Sequence, residues 1–314
     1  MESGWTALPE HGSIELTAAD LNLAHSFCGA HLFFMIAIRH KESGEQLYEL
    51  PGNSLSGAHL AYVVLLAADL RGADLSGADL RGTDLCQADL RGAVLDGADM
   101  RGADLTLANL AEASFRGADL ADARLQAVSL EVSGPARTSF RRADLTRVNL
   151  KNSNLAGSQF DDAEMRRIDL THTNLSGSSF VGANLTEANL NFSSARNANL
   201  EYAMLVSAFL ADVDLRDASL RHAELAGAVL MGTLLAGTDL TDAHLSRTIF
   251  AQCGDLHRAT GLDALAYLNA SFIDVQTLHR CGKELPPEFL EGVGVKPAEL
   301  DALRAADYPQ HEPV

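Results

Sequence analysis

Acidic side chains are the most numerous groups in this 314-residue sequence that could do chemistry. The sequence has 42 Asp and Glu against 24 Lys and Arg, a formal net charge of −18. A catalytic carboxylate pair must differ from its neighbours in environment, but most of these Asp recur at multiples of five residues, so no pair stands out. The charge also argues against direct nucleic-acid binding, which requires Lys and Arg. The composition instead indicates a soluble protein, or one whose partner is basic.

Histidine and cysteine, which could hold a metal or act as nucleophiles, show no organised spacing. The 11 His are scattered singly, and Cys28, Cys86, Cys253 and Cys281 form no CxxC pair. Phosphate-binding, dinucleotide-binding, serine-hydrolase and zinc-protease motifs do not occur. We therefore expect no catalytic residue, metal or cofactor, and no enzyme. Unpaired cysteines, an N-terminus without signal-peptide features and short apolar stretches predict a cytoplasmic protein that does not bind a membrane.

A five-residue repeat must position all of these side chains. From Leu55 to Phe250 every fifth residue is Leu, Met or Phe, except Pro135 and Ala195. A small residue, most often Ala, lies two positions before each, and Asp or Asn often lies between them. A period of five fits neither a helix nor a flat strand. It predicts a coil with four sides of five residues, in which the Leu and Ala point inward and a following Gly eases each corner.

The unit Ala-Asp-Leu-x-Gly resembles the repeat of the pentapeptide-repeat family. That resemblance implies an all-β solenoid, a right-handed quadrilateral β-helix, which residues 55–253 would build in about ten coils. Phe140, Phe160 and Phe180 fall on one side of this coil and predict a stacked aromatic column inside it.

The two ends depart from the repeat. Residues 1–54 predict an N-terminal β cap with irregular repeats and a hairpin, in which residues 33–38 and 47–50 flank a polar turn. Residues 254–314 predict a small C-terminal α-helical module with helices over 262–269, 275–280, 287–291 and 297–304. Residues 272–303 also resemble the segment that joins pentapeptide arrays to TIR signalling domains, although no TIR domain follows in this sequence.

Reading the coil in steps of twenty residues predicts which outward residues share a side. Asp-Leu-Arg units such as Asp79–Arg81 predict self-neutralised pairs on two opposite sides. A third side carries an acidic column with little compensation, which we interpret as a partner-binding surface; it contains Asp84, Asp104, Asp144 and Glu164, interrupted by Arg124.

Two further features suggest contacts with other molecules. Phe209, Val229, Met231 and Ile249 point outward on one side of the last coils, and such an apolar patch predicts an interface with the C-terminal helices or with a second subunit. Gly134 and Pro135 interrupt the repeat, which predicts either a tolerated bulge or a protruding loop that contacts a partner.

The family resemblance implies a specific function. Several pentapeptide-repeat proteins mimic DNA in shape and charge, bind DNA gyrase and protect it from topoisomerase poisons. The corresponding prediction is a DNA mimic that binds gyrase and confers antibiotic resistance, with a homodimer of two rods joined end to end as its expected assembly. The alternative is a generic interaction scaffold that presents its C-terminal helical module to a TIR-type signalling protein or another protein partner.

Overall fold

The computed structural model describes residues 35–128, 138–296 and 298–299. Its main body is a solenoid in which outward residues twenty positions apart pair in parallel. Four such pairings follow one another along the chain, so each coil has four sides. We name the sides by the first pairing residue of each, which gives the His59, Val64, Asp69 and Asp74 sides.

Each five-residue unit is held by the same hydrogen bonds. Leu60 N donates to the Asp79 carbonyl at 2.8 Å, Asp79 N donates to the Ala58 carbonyl at 2.9 Å, and Val63 N closes a turn onto the Leu60 carbonyl at 3.2 Å. The Leu and the Ala two positions before it are buried along the whole described solenoid. The inward and outward positions predicted from the repeat are therefore confirmed.

The corners require a left-handed backbone. Every described residue between 57 and 252 whose number ends in 2 or 7 has a positive φ, including Gly72 at 63° and Tyr62 at 62°. Gly adopts this conformation without the steric cost that a Cβ imposes. The prediction that Gly eases the corners is confirmed, and the many other residue types there show that the hydrogen bonds can enforce the same geometry.

One extra five-residue unit interrupts the twenty-residue step. Ser114 pairs with Ser139 and Arg124 with Asn149, which are 25 residues apart rather than 20. Similarly, Thr138 Oγ1 donates to a carbonyl 28 residues back, where the equivalent Thr83 bond spans 23 residues. The later chain is therefore shifted by one side relative to the earlier chain. Gly134 and Pro135, the predicted loop, lie outside the described residues.

The aromatic column predicted from the repeat lies in the core across this extra unit. Phe115 joins it, because the shift places that ring beneath Phe140 at a centroid distance of 5.0 Å. The Phe140–Phe160 and Phe160–Phe180 rings are stacked at 5.1 and 4.8 Å, as expected.

A β-hairpin packs against the first coil. Strands β1 (Met35–Arg39) and β2 (Gln46–Pro51) pair antiparallel, so the predicted hairpin is confirmed. His40 then makes an antiparallel bridge to Ala68, and Ile36 and Ile38 are buried against the core. A cavity of about 310 Å³ lies between the hairpin and this coil.

Strands and two short helices form the other end. The strands are β3 (Val229–Met231), β4 (His244–Ser246), β5 (Ile249–Ala251), β6 (Ala266–Asn269) and β7 (Phe272–Ile273). The order β3–β5–β7 is parallel, as is the pair β4–β6. A 3₁₀ turn spans Leu256–Arg258, and the helices are α1 (Val275–Cys281) and α2 (Pro287–Gly292).

The C-terminal helix predictions are partly right. The helices over 275–280 and 287–291 are confirmed by α1 and α2. The helix predicted over 262–269 is wrong, because residues 266–269 form β6 and extend the solenoid by pairing with β4. Most of the helix predicted over 297–304 lies outside the described residues. No helix in the described part of the chain has the length and apolar character needed to cross a bilayer.

Candidate protein-interaction surface

The Asp and Asn side chains of the repeat accept hydrogen bonds from their own backbone turns, which limits their use as binding groups. Asp74 Oδ1 accepts a hydrogen bond from Ser76 N at 3.0 Å, and Asn174 Oδ1 accepts one from Ser176 N at 3.1 Å. This side-chain turn satisfies the backbone N–H that follows each inward Leu. The Ser76 hydroxyl also donates to Asp74 and lowers the pKa of that carboxyl. These carboxylates therefore stabilise the turns of the coil in addition to placing charge on its surface.

Arginine neutralises many of these carboxylates. Arg81 Nη2 lies 2.7 Å from Asp79 Oδ2, and Arg71 Nη2 lies 2.6 Å from Asp69 Oδ2. The Arg81 hydrogen bond lowers the pKa of Asp79 to about 2. The predicted Asp-Leu-Arg pairs are thus confirmed, on the His59 and Asp69 sides.

The predicted single acidic column is wrong. Asp84 and Asp104 share the Val64 side, but Arg124 Nη2 lies 3.0 Å from Asp104 Oδ2, and the column continues with Asn149. The extra five-residue unit moves Asp144 and Glu164 to the His59 side, where they follow Asp119. The four residues form two separate pairs on adjacent sides. Whether either pair binds a partner stays a prediction.

The structure brings the predicted apolar patch together. Phe209, Val229 and Ile249 follow one another on the Val64 side, and Phe272 of β7 extends the column. Phe209 is 50% exposed, Ile249 37% and Phe272 57%, and Met231 beside this column is 43% exposed. We call these five residues the apolar column.

The C-terminal helices were expected to cover this patch, and the two described helices do not. Leu278 and Cys281 of α1 are buried, and Phe289 of α2 packs edge-on against the core residue Phe250 at 5.7 Å. Both helices therefore pack on the end of the solenoid core, while the apolar column on its flank remains exposed.

The sequence reasoning missed apolar residues on the neighbouring side. Met204 lies on the His59 side in the same coil as Phe209 and is 44% exposed, and Tyr202 at the corner before it is 57% exposed. The sequence could have identified Met204, because Met204 and Phe209 both occupy the position that holds Asp or Asn in most units. The exposed apolar surface thus reaches around one corner of the solenoid.

Potential metal ligands and cysteine nucleophiles occur among the described residues of the chain. This described part contains no group of three or more His, Cys, Asp or Glu residues that could hold a metal ion. Burial raises the pKa of the Cys253 thiol to about 12 and that of Cys281 to about 11, so neither is an effective nucleophile at neutral pH.

The solved structures to which this chain is similar include pentapeptide repeat proteins. HetL of Nostoc sp. strain PCC 7120, a pentapeptide repeat protein involved in heterocyst differentiation regulation, is 26% identical, with 69% of this chain and 90% of HetL covered and a TM-score of 0.34. QnrB1, a plasmid-mediated fluoroquinolone resistance protein, is 17% identical, with 67% and 92% covered and a TM-score of 0.46. A thylakoid-lumen pentapeptide repeat protein of Arabidopsis thaliana is 31% identical, with 41% and 72% covered and a TM-score of 0.25.

Comparison at the sequence level gives the family. No curated protein matches the chain significantly. The family model described as pentapeptide repeats matches with 8 copies, over residues 54–85, 88–126, 138–177, 163–201, 178–217, 196–232 and 214–252. With this repeat in the sequence and the same unit in every described coil, the chain belongs to the pentapeptide repeat family.

Proposed function

We propose that this protein is a non-enzymatic, protein-binding solenoid whose partner contacts the apolar column. The observation that carries the proposal is the replacement of Asp or Asn by Phe209, Val229 and Ile249 on successive coils. Phe209 cannot accept the turn hydrogen bond, and Ala211 N instead donates to Asn191 Oδ1 at 2.8 Å. The coil thus obtains its hydrogen bond from the preceding coil and leaves an exposed aromatic ring in place of a carboxylate or amide.

A comparative affinity experiment in the native host tests this function. The full chain, the variant Phe209→Ser/Ile249→Ser and the control Val64→Ser/Leu107→Ser are used as baits. The control removes apolar side chains that are 62% and 53% exposed away from the column, Val64 on the same side and Leu107 at the corner that follows this side. We expect the recovered amount of a defined set of proteins to fall about tenfold with the first variant. Their recovery with the control should equal that with the full chain. Equal recovery by all three baits would contradict the proposal.

DNA gyrase is the specific partner that the family resemblance implies, with the chain competing against DNA. The net charge of −18 supports this choice, whereas the ion pairs of the Asp-Leu-Arg units reduce the free negative charge. Asp84 with Asp104 and Asp144 with Glu164 lie on different sides, so a DNA-binding groove in contact with one side would engage only one pair. We propose comparing Asp84→Lys/Asp104→Lys with Asp144→Lys/Glu164→Lys.

The gyrase measurement is supercoiling, together with DNA cleavage induced by a topoisomerase poison. If the chain is a DNA mimic, it alters both activities, and one of the two double variants loses this effect while the other keeps it. Unchanged supercoiling and cleavage with the wild-type chain would exclude gyrase as the partner. Sedimentation of the same samples tests the proposed homodimer.

A scaffold that presents its C-terminal helices to a TIR-type protein is the alternative. Val275 at the start of α1 is 58% exposed and favours this possibility. Val275→Ser would then abolish binding of a TIR domain, while Phe209→Ser would not. A cytoplasmic location is part of the proposal, supported by the free thiols of Cys86, Cys253 and Cys281.

A further inference from the structure

We infer that the corner at Gly182 is a binding site for an arginine side chain of a basic partner protein, held between the Tyr202 ring and the Asp162 carboxylate. These three residues occupy the same corner of the solenoid on successive coils. We call the space over Gly182, between the other two side chains, the Gly182 notch. The inference goes beyond the proposed function, because none of the three residues belongs to the apolar column.

The notch exists because Gly182 has no side chain at a corner where the adjacent coils carry large ones. Its φ is 67°, and the same corner has a φ of 57° at Asp162 and 59° at Tyr202. The left-handed backbone of this corner therefore does not by itself require glycine. Since paired strands are ~4.8 Å apart, Asp162 and Tyr202 are separated by about 10 Å along the solenoid. The missing side chain leaves a gap between them that is one coil high.

The Tyr202 ring forms one wall of the notch. It is stacked on the His222 ring at a centroid distance of 4.7 Å and an interplanar angle of 10°, and His222 Nδ1 lies 3.8 Å from Asp242 Oδ2. These contacts orient the Tyr202 ring and leave its second face turned towards the preceding coil, which contains Gly182. A Cβ at Gly182 would have no Tyr202 atom within 4 Å, and Tyr202 is 57% exposed. This second face is therefore open to a ligand.

The Asp162 carboxylate forms the opposite wall. Asp162 Oδ1 lies 2.9 Å from the position that a Cβ at Gly182 would occupy, so this oxygen projects over the glycine. The other oxygen, Oδ2, lies 3.7 Å from Arg142 Nε in the preceding coil. The ion pair with Arg142 thus involves the oxygen that is turned away, while Oδ1 faces the notch as a hydrogen-bond acceptor.

The charges around the notch favour a cation. Asp161 and Glu201 precede the two wall residues and add negative charge, whereas no Lys or Arg occurs in residues 168–195, which include Gly182. Arg141 Nη1 lies 3.4 Å from Asp161 Oδ2, but it belongs to the coil before Asp161. Carboxylates on both walls repel phosphate, which disfavours a nucleic acid that would stack a base on the exposed ring.

An arginine guanidinium matches both walls. It is planar, it stacks on aromatic faces, and its edge can donate hydrogen bonds to a carboxylate. A cation within about 6 Å of a ring centroid is attracted by the ring, and a gap one coil high places it in that range. A lysine ammonium is more strongly hydrated and cannot stack, so it would bind less well. The net charge of −18 attracts a basic partner to the solenoid as a whole.

Selection from a displayed library of short random peptides, with the full chain as target, tests the inference. Peptides that also bind Gly182→Phe are removed, because that variant fills the notch with a ring. We expect the remaining peptides to share an arginine. Replacing this arginine by citrulline, which is planar but uncharged, should weaken binding about tenfold in fluorescence anisotropy.

Variants of the two walls locate the bound arginine. Tyr202→Ser and Asp162→Asn should each weaken the selected peptides about tenfold, whereas Tyr202→Phe keeps the ring and should keep the affinity. Tyr62→Ser is the matched control, since Tyr62 is also a corner tyrosine and is 76% exposed. Its own ring covers Gly82, where a Cβ would lie 2.7 Å from Tyr62 Cδ1. Circular dichroism of each variant confirms that the coils are intact.

Three outcomes would overturn the inference. They are the recovery of no peptide that depends on the notch, the recovery of peptides without a shared arginine, and equal binding by wild type and Tyr202→Ser. Binding of single-stranded oligothymidylate that is lost in Tyr202→Ser would also overturn it, because the ring would then stack on bases. The proposed function is tested separately, since Phe209→Ser/Ile249→Ser leaves the notch intact.

Discussion

At the scale of single residues, the side chain at the outward pairing position both completes its own turn and sets the charge of the surface. Asp79 combines the two roles, because it accepts from Arg81 N at 3.4 Å and forms an ion pair with the Arg81 guanidinium. Asn can perform the first role alone, as Asn174 does. The two roles can therefore be separated by a substitution that removes charge and keeps the acceptor.

We predict that Asp79→Asn lowers stability at neutral pH and that the difference disappears in acid. Hydrogen bonding to Arg81 lowers the pKa of Asp79 to about 2 in the folded chain, against about 3.9 in an unfolded chain. The ion pair therefore stabilises the fold above pH ~4, and this contribution is lost as the pH falls towards 2. Urea unfolding midpoints of the two chains should begin to approach each other below pH ~4 and should coincide near pH ~2. In the Arg81→Ala background the substitution should have little effect at any pH, and a gap that persists in acid would contradict the ion-pair origin.

At the scale of elements, a whole five-residue unit can be inserted or removed without changing the register of the coils. The bond from Arg147 to Asp122 spans 25 residues across the extra unit, whereas the equivalent bond from Arg167 to Glu187 spans 20. Both connect the same kind of corner on adjacent coils. The inward Leu of the next coil is therefore in place whether or not the extra unit is present.

Removing residues 131–135 is expected to leave the coils aligned and the protein at least as stable. The deletion restores a step of twenty residues between Arg124 and Asn149. It also shortens the chain between these two paired residues, which lowers the entropic cost of bringing them together. Removing only residues 131–133 breaks the period of five and should lower the melting temperature strongly. Circular dichroism melting compares the two deletions, and equal loss of stability would contradict this account. If the five-residue deletion is stable but loses a partner, the segment around Gly134 and Pro135 makes the contact.

The repeat predicted the interior far better than the exterior, and the extra unit explains why. Leu60 or Ala58 can be assigned inward from spacing alone, because every unit must bury the same two positions. The side on which Asp144 lies depends on how many units form the intervening coil, and an added whole unit leaves the spacing of the Leu unchanged. Strand β6 was missed for a related reason, since Ala266–Asn269 extends the solenoid after the pattern has ended. The hairpin was found because its two apolar runs flank a local turn.

At the scale of the whole molecule, stability is carried by contacts between adjacent coils. In such a solenoid each coil stabilises only its neighbours, and the two ends need protection. Ile36 and Ile38 of the β1–β2 hairpin pack against the core near one end, and Leu278 and Phe289 of α1 and α2 pack against it near the other. The apolar column lies towards this second end, where Phe272 of β7 precedes α1.

The aromatic column connects the coils on both sides of the extra unit, so damage to it should weaken the molecule in its middle. Phe160 is fully buried and stacked between Phe140 and Phe180. Phe160→Ala should cost about 3–5 kcal/mol through lost burial and the cavity left behind. Because coupling passes only between neighbouring coils, unfolding should become broader or biphasic, and hydrogen exchange should increase first around residues 138–182. Phe192→Ala, which removes a ring that is 54% exposed, is the matched control and should change little. A uniform increase in exchange along the whole chain would show that the solenoid unfolds as one cooperative unit.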